Sequence, residues 1–181
     1  MTVATWVAAQ TERLRIGHLV LCDSFRHPAV LAKEAVTLQE ASGGRFELGL
    51  GAGSVPHELV GFDITWDRAA ARRDRLRRSL ELLHQYWGAP NTEGPVQVPV
   101  PSTPIPIVIG GTSAPLLELV RGYATWWNLP APQLNRLTQL RPEIGSARVS
   151  VQQMVGFVGH GRDAAEVHAR STRRFGQLGD G

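Results

Sequence analysis

A single cysteine and a single lysine mark what this 181-residue chain goes without. Cys22 alone can form no internal disulfide, so a reducing compartment is the default and the cytoplasm is the expected location. No apolar run approaches the roughly 20 residues that cross a bilayer. The amino terminus also lacks the charged segment and apolar core of a secretory signal, so no membrane partner is expected. With Lys33 the only lysine, the net charge of +3 rests almost wholly on arginine. The densest cluster is Arg68, Arg72, Arg73, Arg75, Arg77 and Arg78. A phosphate-backbone footprint usually brings aromatic platforms or a docking motif with it. Here Leu76, Leu80, Leu83 and Trp87 fall at helical spacing, which turns the arginines toward solvent instead. Nucleic acid is therefore not an expected partner. The catalytic signatures H-E-x-x-H and G-x-S-x-G are missing, as is any Cys/His metal spacing, so no metal site is expected. The six histidines are scattered.

What is present is an alternation of strand and helix signals around one central stretch, Ser42-Gly43-Gly44-Arg45-Phe46-Glu47-Leu48-Gly49-Leu50-Gly51-Ala52-Gly53-Ser54. The glycine pair can end a helix in the left-handed conformation. Phe46, Leu48 and Leu50 alternate with Arg45, Glu47 and Gly49, which predicts a strand of period two. That strand runs into Gly51-Ala52-Gly53-Ser54, where little side chain shields the backbone from a ligand. A dinucleotide fingerprint would need a third glycine at position 56, which is Pro56, so that reading fails on spacing. A glycine-rich turn without a ligand remains the plainer alternative.

Along the rest of the chain, the pattern predicts a helix over 3–13 with no clear start and an apolar strand over Leu14–Cys22. A turn at 23–27 leads into a helix opened by Pro28, with Leu31, Ala35 and Leu38 on its inner face. After the central strand comes an irregular loop, then the arginine helix, capped by Asp67. Further strands are read over Pro104–Ile109, Ala124–Leu129 and Val149–Val158. Helices are read from Ala114 to about Gly122, with Ser113 as cap, and over Asp163–Phe175. Residues 130–142 are poorly patterned. Such alternation calls for a parallel sheet with right-handed crossovers in a single domain over 1–181. A parallel barrel would gather Cys22-Asp23-Ser24, Gly51–Ser54, Gly110–Ser113, Asn128 and Gly159-His160 on one rim. The Gly110-Gly111-Thr112-Ser113 turn suits a phosphate, since amide groups, two hydroxyls and a helix dipole favour an anion; an ordinary capped turn is the alternative. His57-Glu58 reads as a proton donor, a substrate contact or a solvated loop pair. Cys22 reads more simply as a small buried hydrophobe. Lacking an acid–base or nucleophilic set, any hard chemistry has to come from a bound cofactor.

Leu14-Arg15-Ile16-Gly17, Arg26-His27-Pro28-Ala29, Leu31-Ala32-Lys33-Glu34 and the stretch 42–53 together resemble the bacterial luciferase-like family. Ile107-Val108-Ile109-Gly110-Gly111-Thr112-Ser113 and Tyr123-Ala124-Thr125-Trp126-Trp127-Asn128 resemble its later strands. The resemblance implies an α/β fold of the (β/α)8 TIM-barrel type. It further implies an oxidoreductase that uses the deazaflavin F420, with FMN as the alternative, on a small organic substrate. Such enzymes transfer hydride at the ring, or activate oxygen with a reduced flavin. By the same resemblance, Leu19 and Val20 contact the ring, often through a non-proline cis peptide, with Cys22 on the same strand end. Gly51, Ala52, Gly53 and Ser54 match the loop beside the ring and side chain, while Gly111, Thr112 and Ser113 match the phosphate turn. The chain departs from the family at Ser54, where some members carry a catalytic acid, and at Ala124-Thr125-Trp126-Trp127, where Ala-Asp-Gly-Trp is usual. A complete barrel takes about 250 residues, so about five of eight strands are expected, without the two leading strands. A fragment, a non-catalytic flavin-binding remnant, a homo-oligomer or pairing with a complete barrel are the corresponding expectations.

Overall fold

The computed structural model describes residues 1–153, 161 and 163–175. Its elements are α1 (Thr2–Gln10), β1 (Ile16–Gly17), β2 (Leu21–Cys22), α2 (Pro28–Ala41), β3 (Phe46–Gly51), α3 (Pro56–Gly61), α4 (Ala69–Tyr86), β4 (Ile107–Gly110), α5 (Ala114–Tyr123), β5 (Trp126–Pro130), α6 (Leu137–Leu140), β6 (Arg148–Gln152) and α7 (Ala164–Phe175). Every strand pairing is parallel. β1 and β2 lie end to end against β3, followed in order by β4, β5 and β6. Strand order thus follows chain order without a reversal. A doubly wound dinucleotide fold reverses its winding partway through, whereas a barrel does not. The result is a curled half-barrel of five parallel strands, an incomplete TIM barrel, as expected.

The central strand occupies Phe46–Gly51, and its alternation sorts bulk from space. Phe46, Leu48, Leu50, Ile107, Ile109, Trp127 and Leu129 are at most 2% exposed and pack in the core with the helices. Each such side chain contributes about 1.5–3 kcal/mol by burial. Register then assigns the opposite, inner face to Gly49, Gly51, Val108, Gly110, Trp126, Asn128, Arg148 and Ser150. Val108, at 6% exposed, is buried yet stands outside the helix-side core.

Helix α2 buries Leu31, Ala35 and Leu38 as expected. Its amino end is capped by His27 Nδ1, which accepts Ala29 N–H at 3.2 Å. It stops at Gly43 and Gly44, whose φ angles of 63° and 81° are left-handed. Arg45 then ties the next segment down. It donates to the carbonyls of Ala8 (3.0 Å), Leu14 (2.8 Å) and Ser42 (2.7 Å). A cation at the end of α1 satisfies carbonyls that the helix leaves unpaired.

Several expectations need correction. The segment Leu14–Cys22 is not one strand: Gly17 pairs with Glu47 but Leu21 pairs with Leu50, so His18, Leu19 and Val20 face only Leu48 and Gly49. The extra residue makes a bulge that divides the strand. Asp67 does not cap α4; Arg68 holds that position without a side-chain bond, while Asp67 accepts Arg75 Nη1 at 2.8 Å. The loop after the central strand contains a helix, α3, started by Pro56. Residues 131–144 form short helical turns that bury Leu140 and Ile144. The strand expected over Val149–Val158 is seen as Arg148–Gln152; Gln153 is outside it, and residues 154–158 lie outside the described residues.

Candidate functional site

The carboxyl ends of the strands form one continuous row. Cys22 pairs with Gly51, Leu50 with Ile109 just before Gly51 and Gly110, Gly110 with Asn128, and Asn128 with Ser150. The two glycine-rich turns therefore leave neighbouring strands at the same level and on the same rim. Ligands bind at this end of parallel α/β structures.

Glycine on the inner face is required by close packing. A Cβ on Gly49 would collide with the His18 carbonyl, and one on Gly51 would lie 2.7 Å from Val20 Cγ2. A Cβ on Gly110 would meet Asn128 at 3.7–4.0 Å, an ordinary van der Waals contact, so that position is not closed by its neighbours. Leu19 and Val20 are 51% and 39% exposed at the bulge, and the peptide between them is cis. Both expected ring-contact residues thus present apolar surface beside the glycine row.

The first turn continues through Ala52, half-buried against the core, and Gly53 at φ 84°. A Cβ there would come within 2.9 Å of Cys22 Sγ and 3.6–3.9 Å of Leu59 and Trp66. The segment after α3 consequently folds back over Gly53. Arg72 holds that segment in place: its guanidinium stacks 3.6 Å over the Trp66 ring and donates to the Asp67 carbonyl at 2.7 Å. Phe62 closes edge-on against Phe25, with ring centroids 6.1 Å apart. Ser54 is exposed, as are His57 and Glu58 on α3, which favours the solvated reading of that pair. Gly159 and His160 lie outside the described residues.

The second turn is braced from beneath and beside. Trp127 Nε1 donates to the Gly111 carbonyl at 2.8 Å, and Gly111 takes φ 106°. Ser113 stands at the amino end of α5, but its hydroxyl makes no cap; its carbonyl accepts Leu116 N and Leu117 N instead. Arg136, from the short turn after β5, donates to Thr112 Oγ1 at 2.9 Å. Sequence reasoning missed this cation. It lies in a proline-interrupted stretch with no periodicity, and its only signal is a lone basic residue shortly after a strand end.

Two ionisable groups sit near the edge strand. His18 is pushed down to about 4, first by burial and then by the positive amino terminus and Arg26, so its imidazole is neutral at pH 7. Asp23, directly after Cys22, is pushed above the usual carboxylate range by burial, opposed by a Ser79 hydrogen bond and Arg75. A cleft of about 510 Å³ runs past Asp23, Ser24, Thr65 and Arg75 on the helix side. Asp23 Oδ2 and Arg75 Nε lie 3.7 Å apart and both are shut off from solvent, so they face each other rather than a ligand. A second cleft, of about 600 Å³, lies at the amino ends of the strands between Arg15, Trp126 and Arg148. Neither coincides with the glycine row. Among the described residues, no group of His, Cys, Asp or Glu side chains could hold a metal, and no helix is long and apolar enough to cross a membrane.

Comparison with known proteins places this geometry. The chain is 37% identical over 86 residues to the F420-dependent glucose-6-phosphate dehydrogenase of Amycolatopsis mediterranei (strain U-32), which covers 47% of this chain and 26% of that enzyme. It is 41% identical over 78 residues to the 4-hydroxyprotoasukamycin monooxygenase of Streptomyces nodosus subsp. asukaensis, covering 43% of this chain and 20% of the relative. The crystal structure of monooxygenase RslO1 from Streptomyces bottropensis superposes with a TM-score of 0.78 at 20% identity, covering 98% of this chain and 60% of that one. The chain accordingly accounts for less than two thirds of the length of each. The luciferase-like monooxygenase family model matches residues 1–173. With its strand ends in one row and that model matched over nearly its whole length, the chain belongs to the luciferase-like monooxygenase family, with F420-dependent dehydrogenases and monooxygenases among its relatives.

Proposed function

We propose that the rim holds the tricyclic ring of F420, with FMN as the alternative, and that the chain forms the cofactor-binding wall of an oxidoreductase acting on a small organic substrate. The observation that carries this reading is the register. It sets Gly51 and Gly110 side by side, with Leu19, Val20 and Cys22 along one flank. The residues fit such a group: the inner face at Gly51 and Gly110 is bare backbone, bordered by apolar Val20 and Val108. Leu19, Val20 and Cys22 would bound one side of the ring, while Gly51, Ala52, Gly53 and Ser54 would bound its edge. Gly110, Gly111, Thr112 and Ser113 would take the phosphate at the start of α5, with Arg136 supplying the positive charge. When bound, the cofactor supplies the hydride or the reducing electrons, and the protein's part is to orient it and to exclude water. F420 is placed first because relatives of both kinds match, and the F420-dependent one aligns over the longer stretch.

A second reading is a non-catalytic flavin-holding wall or the partner of a complete barrel. It is favoured by the inner rung nearest the rim, where Gly51, Gly110, Asn128 and Ser150 include no acid or base. Titration with F420 and with FMN, followed by a hydride-transfer assay, separates the two. Binding with turnover supports the enzyme and binding alone supports the holding wall, whereas binding of neither cofactor refutes both.

A further inference from the structure

The cleft that runs past Asp23 and Ser24 holds donors that the fold leaves unused. It occupies about 510 Å³ between the turn Asp23–Phe25, segment 64–67 and helix α4. Arg75, from α4, commits two of its three guanidinium nitrogens to acids. Nη1 donates to Asp67 Oδ2 at 2.8 Å, and Nε faces Asp23 Oδ2 at 3.7 Å. The third, Nη2, is shut off from solvent and has no hydrogen-bond partner, and the same holds for the Ser24 hydroxyl. Both residues line the cleft. A buried donor without an acceptor is costly, more so when it carries charge. Thr65 adds another hydroxyl to the wall, and Arg26 and Arg78 bring two further guanidinium groups. Their ion pairs with Glu34 and Glu81 are long, at 3.3 Å, and partly exposed, so they hold those cations only weakly. Against three arginines the lining carries two acids. Asp67 is already bonded to Arg75. Burial pushes Asp23 above the usual carboxylate range, against the pull of Ser79 and Arg75, which favours its neutral form.

We propose that this cleft binds the oxyanion of a small ligand, a phosphate or a carboxylate, which accepts from Arg75 Nη2 and the Ser24 hydroxyl and is drawn in by Arg26 and Arg78. The site is separate from the glycine row and does not rest on the cofactor reading above. An occupant would also brace the segment that carries Trp66 over Gly53.

The test follows the urea midpoint of the full chain as inorganic phosphate or acetate is added, with ionic strength held constant by sodium chloride. The midpoint of the wild type should rise and saturate. A response to phosphate assigns a phosphate ligand and one to acetate a carboxylate, and either supports the proposal. Ser24→Ala is the decisive variant. Its hydroxyl has no partner to lose, so without the anion it should be at least as stable as wild type. Its affinity for the anion should nevertheless fall about tenfold, the value of one hydrogen bond to a charged group. Arg78→Gln, on the exposed side of the cleft, should weaken binding about threefold. Because the Gly110–Ser113 turn is itself proposed to take a phosphate, Arg136→Gln is the control, and the cleft's response should survive in it. An equal response in wild type and Ser24→Ala would overturn the proposal, as would a response lost only in Arg136→Gln or no response to either anion. A stability loss in anion-free Ser24→Ala would overturn it too, since the hydroxyl would then serve the fold.

Discussion

Replacing Gly49 with alanine tests the packing on which the candidate site stands. The added Cβ would run into the His18 carbonyl oxygen, with the carbonyl carbon at 2.7 Å and Val20 Cγ1 at 3.2 Å. The obstruction is backbone, so it cannot rotate away as a side chain would. It is also pinned on both sides, by Gly17 against Glu47 before the bulge and Leu21 against Leu50 after it. Overfilling a packed interior costs about 1–3 kcal/mol, and an immovable obstacle puts this case at the upper end. Alanine also narrows the unfolded ensemble, which returns about 0.4–1 kcal/mol. The net loss is about 2 kcal/mol. With a urea m-value of about 2 kcal/mol/M, the unfolding midpoint should fall by about 1 M. Gly122→Ala is the control, because a Cβ there meets nothing within 4 Å on α5. It should raise stability by about 0.5–1 kcal/mol through helix propensity. An unchanged midpoint for Gly49→Ala, with the fold intact by circular dichroism, would refute the claim that the bulge lies against β3.

Other outcomes follow from the same contacts. His18 holds its proton less tightly when folded, at about 4 against 6.5. The unfolded chain therefore takes up the proton first, and stability is lost as pH falls from 6.5 toward about 4. Because the ring is only half-buried, screening reduces the effect to about 1–2 kcal/mol, read as the difference in urea midpoint between pH 7 and pH 5 that His18→Gln removes. Gln39, 2% exposed, accepts Phe46 N–H at 3.2 Å and donates to Thr103 Oγ1 at 3.0 Å. Gln39→Leu leaves that amide unmet at the start of the central strand and should cost about 1–3 kcal/mol in chemical denaturation. Arg136→Gln should weaken binding of phosphate-bearing FMN and flatten its salt dependence, while binding of riboflavin, which lacks the phosphate, stays unchanged.

The parts of this fold legible in the sequence are those where local pattern and tertiary role agree. Phe46, Leu48 and Leu50 alternate because one face packs on helices, and that strand was read to its end. The glycine pair after α2 was legible for the same reason, since left-handed φ needs it. The bulge at 18–20 was not legible, because Leu14–Cys22 is apolar throughout and period says nothing about a skipped rung. Nor was the role of Asp67, whose side chain turns to Arg75 eight positions later rather than to the helix end beside it. Arg136 and the Asn128–Ser150 bond depend on register between strands far apart in the chain, which no local window contains.

Register also explains why one departure from the family pattern that the resemblance implies leaves the rim alone. Where Ala-Asp-Gly-Trp is usual, the chain reads Ala124-Thr125-Trp126-Trp127. Trp127 points to the helices, fully buried, and its indole N–H holds the Gly111 carbonyl, so it supports the second turn from behind. Trp126 takes the inner face, but two residues before Asn128 and therefore nearer the amino ends of the strands. There it lies beneath the Arg148 guanidinium at 5.4 Å, on the rung of Gly49 and Val108 and one inner layer above the Arg15–Glu47 pair. The added bulk thus fills the floor of the half-barrel, one layer below the glycine row. A substitution of the same size at Gly110, one layer higher, would stand where the ring is proposed to lie. The same alternation that sends Leu48 and Trp127 outward therefore decides which inner positions can grow and which must stay bare.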